Sequence, residues 1–160
     1  MNAFLQAFAF VLNAEGGGTI TDDPEDPGGL TRWGISKRSH PDLDIANLTL
    51  DEAREIYRRE YWDRCSCDLF PPPLAMALFD SAVNQGPVRA IRLMQRALRV
   101  EEDGVVGPDT LAAANSVITD DLLISFLSYR ASAYALLSPR FHRGWFARLF
   151  KLQRAAWSLA

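Results

Sequence analysis

Apolar residues recur at helical spacing in several separate segments of the 160-residue chain. The first segment covers residues 2–14, and its periodic apolar positions are Phe4, Leu5, Phe8, Val11 and Leu12. Such spacing places apolar side chains on one face of an α-helix, where they can pack against a core. Strong helix formers such as Ala, Leu and Arg are frequent, whereas runs of β-branched residues are scarce. The pattern predicts a mainly α-helical fold.

Capping residues, prolines and glycines divide the chain into about seven predicted helices. Thr49 and Glu52 form a capping-box pattern that predicts a helix start at this point. The proline run at 71–73 and the Gly86-Pro87 pair bound a later helix, since glycine is favoured just after a helix and proline at its first position. Further helices are predicted over residues 88–100, from 108, from 119 to about 137 and from about 144 to 157.

Residues 19–35 interrupt the helical pattern with a segment rich in Gly, Pro, Asp and Thr. It follows three consecutive glycines, Gly16–Gly18, which end the first helix. Residues 26–29, with the sequence Asp-Pro-Gly-Gly, are a strong turn signal. Because the flanking pieces can pair, we predict a small β-hairpin or β-like loop near residues 18–35.

The composition is that of a globular domain, with 48% apolar and 23% charged residues. A net charge of −3 and a pI near 5.4 do not indicate nucleic-acid binding, which usually requires a basic surface. Arginines are concentrated in the second half, where either a solvated helix face or a surface attracted to an anionic envelope explains them. These arginines are Arg89, Arg92, Arg96, Arg99, Arg140, Arg143, Arg148 and Arg154.

The cysteines and histidines argue against a disulfide bond and against a metal site. Cys65 and Cys67 are one residue apart, so a disulfide between them would close a small strained ring, and we expect reduced thiols. His40 and His142 are the only histidines, which is too few for a metal site, and we expect no metal and no cofactor. The apolar N-terminal segment lacks the basic start of a signal peptide and is too short to span a bilayer.

Glu15 is the strongest candidate for acid–base chemistry. It lies at the predicted end of the first helix, directly before glycines that would let a polymer approach closely. The negative end of the helix dipole and an apolar surround would both raise the pKa of its carboxyl group and keep the proton available near neutral pH. The alternative is an ordinary solvated glutamate near a helix end.

Several ordered motifs resemble glycoside hydrolase family 108, muramidases found as phage endolysins and in bacterial secretion-activating proteins. The motifs are Glu15-Gly16-Gly17, residues 26–31, residues 33–36, residues 61–63 and residues 79–87, with residues 93–98 and 103–110 beyond them. The resemblance implies a lysozyme-like fold with Glu15 as the essential acid. This chain has Gly18 where the family's Glu-Gly-Gly-Tyr motif has tyrosine, so a substrate contact by that tyrosine is not implied here.

Likeness to phage lysozymes of related shape, which use Glu, Asp and Thr in this order, suggests two further catalytic residues. Asp26 would orient or activate water and Thr31 would help to hold it. A turn-forming bond from Asp26 to its own backbone is the alternative, and Asp22 and Asp23 are fallback candidates. A carboxyl separation of about 5–5.5 Å would indicate retention at the anomeric carbon, and about 6.5–9.5 Å inversion.

Aromatic faces and side-chain amides commonly bind sugar polymers. The candidates for substrate binding are Trp33, Tyr61, Trp62, Asn84 and Gln85. Core packing is the alternative for the aromatic residues, and helix capping is the alternative for the two amides.

These features predict a muramidase that hydrolyses the β-1,4 bond between N-acetylmuramic acid and N-acetylglucosamine. Residues 1–86 would form the catalytic region and residues 87–160 a helical peptidoglycan-binding region, packed as one body because the link is short. We expect a monomeric phage endolysin, made in the host cytoplasm and reaching the wall through a holin-type lesion, with no nucleic acid bound and no membrane insertion. A lytic transglycosylase and a non-catalytic wall-binding module are the alternatives.

Overall fold

A computed structural model describes residues 2–22 and 28–159 of the chain. Within these residues there are seven α-helices and one two-stranded antiparallel sheet. The helices are α1 (Ala3–Ala14), α2 (Leu50–Tyr57), α3 (Pro72–Gln85), α4 (Pro87–Leu98), α5 (Pro108–Asn115), α6 (Thr119–Ala135) and α7 (His142–Trp157). The predicted fold class, mainly helical with a small β excursion, is confirmed.

Helix α3 is the central element, because its side chains from Pro73 to Ala82 are all buried. It packs against α1, α4, α6 and α7. The resulting hydrophobic core is shared by the described parts of both predicted regions, as Phe8 in the first and Leu152 in the second show. The wall-binding role of residues 87–160 stays a prediction.

Helix α2 begins at the predicted capping box. The Thr49 hydroxyl oxygen accepts from the Glu52 backbone N–H at 3.2 Å, and the Glu52 carboxylate accepts from the Thr49 N–H at 2.8 Å. Each side chain thus satisfies a backbone donor of the other residue. After Tyr57 the helix widens into a π-helical turn, Arg58–Asp63.

The observed β-hairpin is shorter than the segment near residues 18–35 for which the sequence predicts β structure. Strand β1 (Thr31–Arg32) pairs with β2 (Ile35–Ser36), and Thr21 forms an isolated bridge with Thr31. The connecting residues Trp33 and Gly34 have φ of 56° and 75°. A two-residue turn with both φ values positive fits the twist of a hairpin.

The motif at residues 103–110 forms a turn that one buried side chain fixes. Gln95 of α4 donates from Nε2 to Asp103 Oδ1 at 2.6 Å and to the Val105 carbonyl oxygen at 2.9 Å. Its Oε1 accepts from the Gly104 N–H at 2.9 Å. Because both ends of the buried amide are satisfied, the motif has a structural function in this fold.

Cys65 and Cys67 are free thiols buried in the core, as expected. Burial raises the pKa of the Cys67 thiol, and its hydrogen bond with Cys65 adds to the effect, so this thiol stays protonated. None of the described helices is both long and apolar enough to cross a lipid bilayer.

Candidate active site

Glu15 occupies the C-terminal cap of α1. Its N–H donates to the Val11 carbonyl oxygen at 2.9 Å, and the Gly17 N–H donates back to the Leu12 carbonyl oxygen at 2.9 Å. Gly16 has a φ of 90°, a left-handed conformation that favours glycine and closes the helix. The chain therefore turns away at Glu15, whose side chain projects from the helix end and is 29% exposed.

The hairpin turn lies directly against Glu15. A Cβ atom at Gly34 would come within 3.2 Å of the Glu15 Cβ and within 2.5 Å of the Tyr57 hydroxyl oxygen. That hydroxyl donates to the Trp33 carbonyl oxygen at 3.0 Å, which ties the hairpin to α2. The close approach and the positive φ both require glycine at position 34.

Arg148 of α7 forms an ion pair with Glu15. Its Nη1 donates to Glu15 Oε1 at 2.7 Å, and its Nε donates to Asp80 Oδ1 at 2.9 Å. The Arg148 side chain is only 12% exposed and is held by two carboxylates, so it fixes the position of Glu15 Oε1. Glu15 Oε2 accepts no hydrogen bond from any residue that the structure describes.

Asp80 is completely buried and is shared by two arginines. Its Oδ2 accepts from Arg130 Nη1 at 2.6 Å. The buried Arg130 donates from Nε to the Tyr134 hydroxyl oxygen at 3.0 Å, and this hydroxyl donates to Asn84 Oδ1 at 2.5 Å. Buried charges are stable in proteins when they are paired in this way. The network connects Glu15 to α3, α6 and α7.

Burial and charge determine the ionisation of the groups around Glu15. Burial by itself lowers the pKa of Arg148, but the carboxylates of Asp80 and Glu15 more than offset it, so the net shift is upward. Burial raises the pKa of Tyr57 and of Tyr61, and the charge of Glu15 adds to both shifts. Arg148 is therefore a cation and both tyrosines are neutral hydroxyls near Glu15.

Comparisons with known proteins show to which family the chain belongs. A family model, glycosyl hydrolase 108, matches residues 8–86, which include Glu15, the hairpin and α3. The solved structure of SagA from Brucella abortus is similar with a TM-score of 0.85 and 30% sequence identity, over 98% of this chain and 94% of that chain. The chain belongs to glycosyl hydrolase family 108. A comparison with curated proteins gives no match.

Membership of family 108 makes the chain a glycoside hydrolase, of the muramidase type that acts on peptidoglycan. The family match ends at residue 86, whereas Arg148, which contacts Glu15, lies 62 residues beyond it.

Gly18 stands where the family's Glu-Gly-Gly-Tyr motif has tyrosine, and the position of Trp33 explains why this chain has glycine there. A Cβ atom at Gly18 would lie 2.2 Å from the Trp33 indole ring. The Trp33 Nε1 donates to the Leu48 carbonyl oxygen at 2.9 Å and fixes the ring there. The indole therefore occupies the space in which a side chain at position 18 would begin. Sugar binding by the half-buried Trp33 stays a prediction.

The predicted partners of Glu15 on the loop are only partly described. The Thr31 hydroxyl donates to the Gly29 carbonyl oxygen at 2.9 Å, and Thr31 is half-buried. Asp26 and the fallback Asp23 lie outside the described residues, and the other fallback, Asp22, is exposed. The roles of Asp26 and Thr31 in this family 108 site stay predictions.

Tyr61 and Trp62 have opposite environments. Tyr61 is half-buried, and its ring lies 5.6 Å from that of Tyr57, which contacts the hairpin next to Glu15. Trp62 is 1% exposed and packs edge-on against Phe4 and Phe79. This burial favours the core-packing alternative for Trp62, because consecutive residues in the helical turn face different directions and this one faces the core. Sugar binding by Tyr61 stays a prediction.

Asn84 and Gln85 also point to different places. Asn84 lines a cavity of about 510 Å³ together with Arg148. Gln85 lines a different cavity of about 420 Å³ at the start of α4, and its Oε1 accepts from the Ser81 hydroxyl at 3.2 Å. The structure therefore brings Asn84 towards the Glu15 site and leaves Gln85 outside it.

The ion-pair network is the part of the site that sequence reasoning does not predict. The sequence offers a solvated helix face or a surface attracted to an anionic envelope for the clustered arginines, and neither describes Arg148, since its side chain is largely buried against Asp80. A signal does exist, because Asp80 stands inside an apolar helix and Arg130 occupies a core-facing position of α6. A charge at such a position requires a buried partner, but spacing along the chain does not identify that partner.

Proposed function

We propose that this protein is a muramidase that hydrolyses the β-1,4 bond between N-acetylmuramic acid and N-acetylglucosamine, with Glu15 as the proton donor. The observation that carries the proposal is the asymmetric bonding of the Glu15 carboxyl group. Oε1 is fixed by Arg148, whereas Oε2 has no hydrogen-bond partner among the described residues and belongs to a side chain that is 29% exposed.

This arrangement suits general acid catalysis. The guanidinium group holds the carboxyl plane, and Oε2 is then available to carry the proton to the glycosidic oxygen of a bound glycan. A Cβ atom at Gly16 or Gly17 would meet nothing within 4 Å, so the space beside these glycines is open for that glycan. A second carboxylate on the opposite face of the sugar is required by most such enzymes, and Asp26 is our candidate.

The test is clearance of purified sacculi, measured by turbidity. Glu15→Gln is expected to lower the rate by about 10²–10⁴-fold, because the protons of the amide are not acidic enough to be transferred to the glycosidic oxygen. Glu55→Gln is the matched control, since it removes one exposed carboxylate from α2, away from the site. Wild-type activity in folded Glu15→Gln protein would disprove the assignment of Glu15.

Mass analysis of the released muropeptides defines the reaction. A hydrolase adds water and leaves a reducing end, whereas a lytic transglycosylase leaves an anhydro product that is lighter by one water. If the anhydro product predominates, the proposal of hydrolysis fails even though Glu15 remains essential.

We further propose the phage endolysin as the biological setting, with release of the protein to the wall through a holin-type lesion. Induced expression in a bacterial host tests this setting. Lysis is expected when a holin is co-expressed and not when the protein is expressed alone. Lysis without a holin, or none with it despite active enzyme, would contradict this setting.

A further inference from the structure

A cavity of about 510 Å³ lies beside Glu15, between the end of α1, the end of α3 and residues 144–151 of α7. The polar, charged and indole side chains that line it are Asn13, Asn84, Trp145, Arg148 and Lys151. Arg148 lines this cavity and also forms the ion pair with Glu15, so a single side chain contacts both the cavity and the proposed acid. A larger cavity of about 630 Å³, formed by residues 39–43, Leu48 and α2 with its π-helical turn, does not include Glu15 or Arg148.

The lining of the cavity is positively charged. It contains Arg148 and Lys151, and none of its lining residues is acidic. The charge of Arg148 is already offset by Glu15 and Asp80. Lys151 lies nearly one helical turn further along α7, is exposed, and has no carboxylate within 4.0 Å among the described residues. The uncompensated charge in the cavity is therefore the ammonium group of Lys151.

Hydrogen-bond donors in the cavity add to this charge. Asn84 uses its Oδ1 to accept from Tyr134, which leaves its amide Nδ2 as a donor. Arg148 Nη2 is buried and makes no hydrogen bond, although Asp80 Oδ1 lies 2.8 Å away in poor geometry. An indole, two amides and the ammonium group of Lys151 form a lining suited to an anionic group attached to a polar chain.

We infer that this cavity binds a carboxylate carried by the lactyl arm of the muramyl residue next to the bond that Glu15 cleaves. The inference rests on the proposed function and deepens it. In peptidoglycan the hexosamine rings are neutral, and the carboxylates hang from the lactyl arms and their stem peptides. Arg148 lines this cavity and also contacts Glu15, so the cavity adjoins the place where we propose that the glycan is cleaved.

The carboxylate has two sources. In an intact wall the lactyl carboxyl is bound as an amide to the stem peptide, so the anionic groups are those of the peptide. In glycan strands stripped by an amidase, the lactyl carboxylate itself is free. Both sources present the same chemistry to Lys151.

The experiment compares Lys151→Gln with wild type in steady-state hydrolysis of soluble glycan strands that carry stem peptides. Lys151→Gln is expected to raise KM roughly two- to fivefold, the size of one exposed charge interaction, with kcat nearly unchanged. Lys151→Arg should restore the wild-type KM. Arg154→Gln is the matched control, because it removes the same charge from an exposed position of α7 outside the cavity.

Two further substrates identify the anion. On strands whose carboxyl groups have been converted to amides, wild type and Lys151→Gln should have equal KM values. Amidase-stripped strands distinguish the two sources: a Lys151 effect that persists there assigns the lactyl carboxylate, and one that disappears assigns the stem peptide. Equal KM values for Lys151→Gln and wild type on the peptide-bearing strands and on the stripped strands would overturn the inference, as would a Lys151 effect of the same size on the amidated strands.

Binding measurements keep this inference separate from the proposed function. Calorimetric titration of a soluble anionic muropeptide into Glu15→Gln protein, with and without Lys151→Gln, requires no turnover. If wild type hydrolyses nothing but binding depends on Lys151, the proposed function fails and the binding site stands. If wild type hydrolyses the strands and Lys151→Gln changes neither KM nor binding, the site fails and the proposed function stands.

Discussion

Arg148 Nη1 lies 2.7 Å from Glu15 Oε1, although the two residues are 133 positions apart in the chain. The helix that carries Arg148 packs against α1, α3 and α6, so the last helix of the chain contributes directly to the site at the end of the first. Residues 8–86 carry the family match, but they do not contain the whole site. A protein truncated after Gly86 would lack the cation that fixes Glu15.

The first prediction concerns Arg148. Arg148→Gln is expected to lower kcat on the order of tenfold to a hundredfold, because Glu15 loses the partner that orients it. Arg148→Lys should restore little activity, since an ammonium group lacks the planar set of N–H donors with which the guanidinium group bonds to Glu15 and Asp80 at the same time. Arg143→Gln, at an exposed position of the same helix, is the control and should retain activity. Full activity in both Arg148 variants would show that the ion pair has no part in catalysis.

The second prediction concerns the stability of the network. Asp80→Ala leaves the guanidinium of Arg130 buried without a counter-charge, which is expected to cost about 3–5 kcal/mol of unfolding free energy. Asp42→Ala removes an exposed carboxylate and should change stability by about 0.5 kcal/mol or less. Urea titrations of the three proteins measure the difference.

A double variant isolates the buried pair. Asp80→Ala combined with Arg130→Met removes both charges, so it should be less destabilised than the sum of the two single variants. Strict additivity would mean that the two side chains do not interact in the folded protein.

Much of the fold follows from local signals in the sequence. The capping box at Thr49, the Gly86-Pro87 junction and the glycines after Glu15 each specify a helix end through backbone geometry within a few residues. Such short-range effects can be read from sequence because the interacting groups are neighbours in the chain.

The environment of Glu15 could not be predicted in the same way. An apolar surround was expected from the neighbouring helix, whereas the structure provides the guanidinium of Arg148. That contact depends on how α7 packs against α1 and α3, which no local pattern specifies. The burial of Trp62 has a similar origin, since its direction depends on the π-helical turn in which it lies.

The third prediction tests the contact between Gly18 and Trp33. Gly18→Ala places a methyl group within 2.2 Å of an indole ring that the Leu48 carbonyl oxygen holds. The side chains must move apart to relieve this overlap. We expect the variant to lose about 1–3 kcal/mol of unfolding free energy and its hairpin next to Glu15 to be displaced. Gly107→Ala is the control, because a Cβ atom there meets nothing within 4 Å. In a Trp33→Ala background the cost of Gly18→Ala should largely disappear, and an undiminished cost would contradict the steric explanation.

The fourth prediction is a pH dependence of stability at the start of α2. The hydrogen bonds from the Thr49 side chain and backbone lower the pKa of Glu52 below its ordinary value of 4.5. Because the folded pKa is below the unfolded one, the stabilisation is fully present above pH 4.5 and is lost as the pH falls through the folded pKa. Glu52→Gln resembles the protonated side chain, so it should be less stable than wild type at pH 7. The difference between the urea midpoints of the two proteins should be smaller at an acidic pH below 4.5 than at pH 7, as the wild-type carboxylate loses its charge. A difference that stays constant between the two pH values would mean that the Glu52 charge does not contribute to the cap.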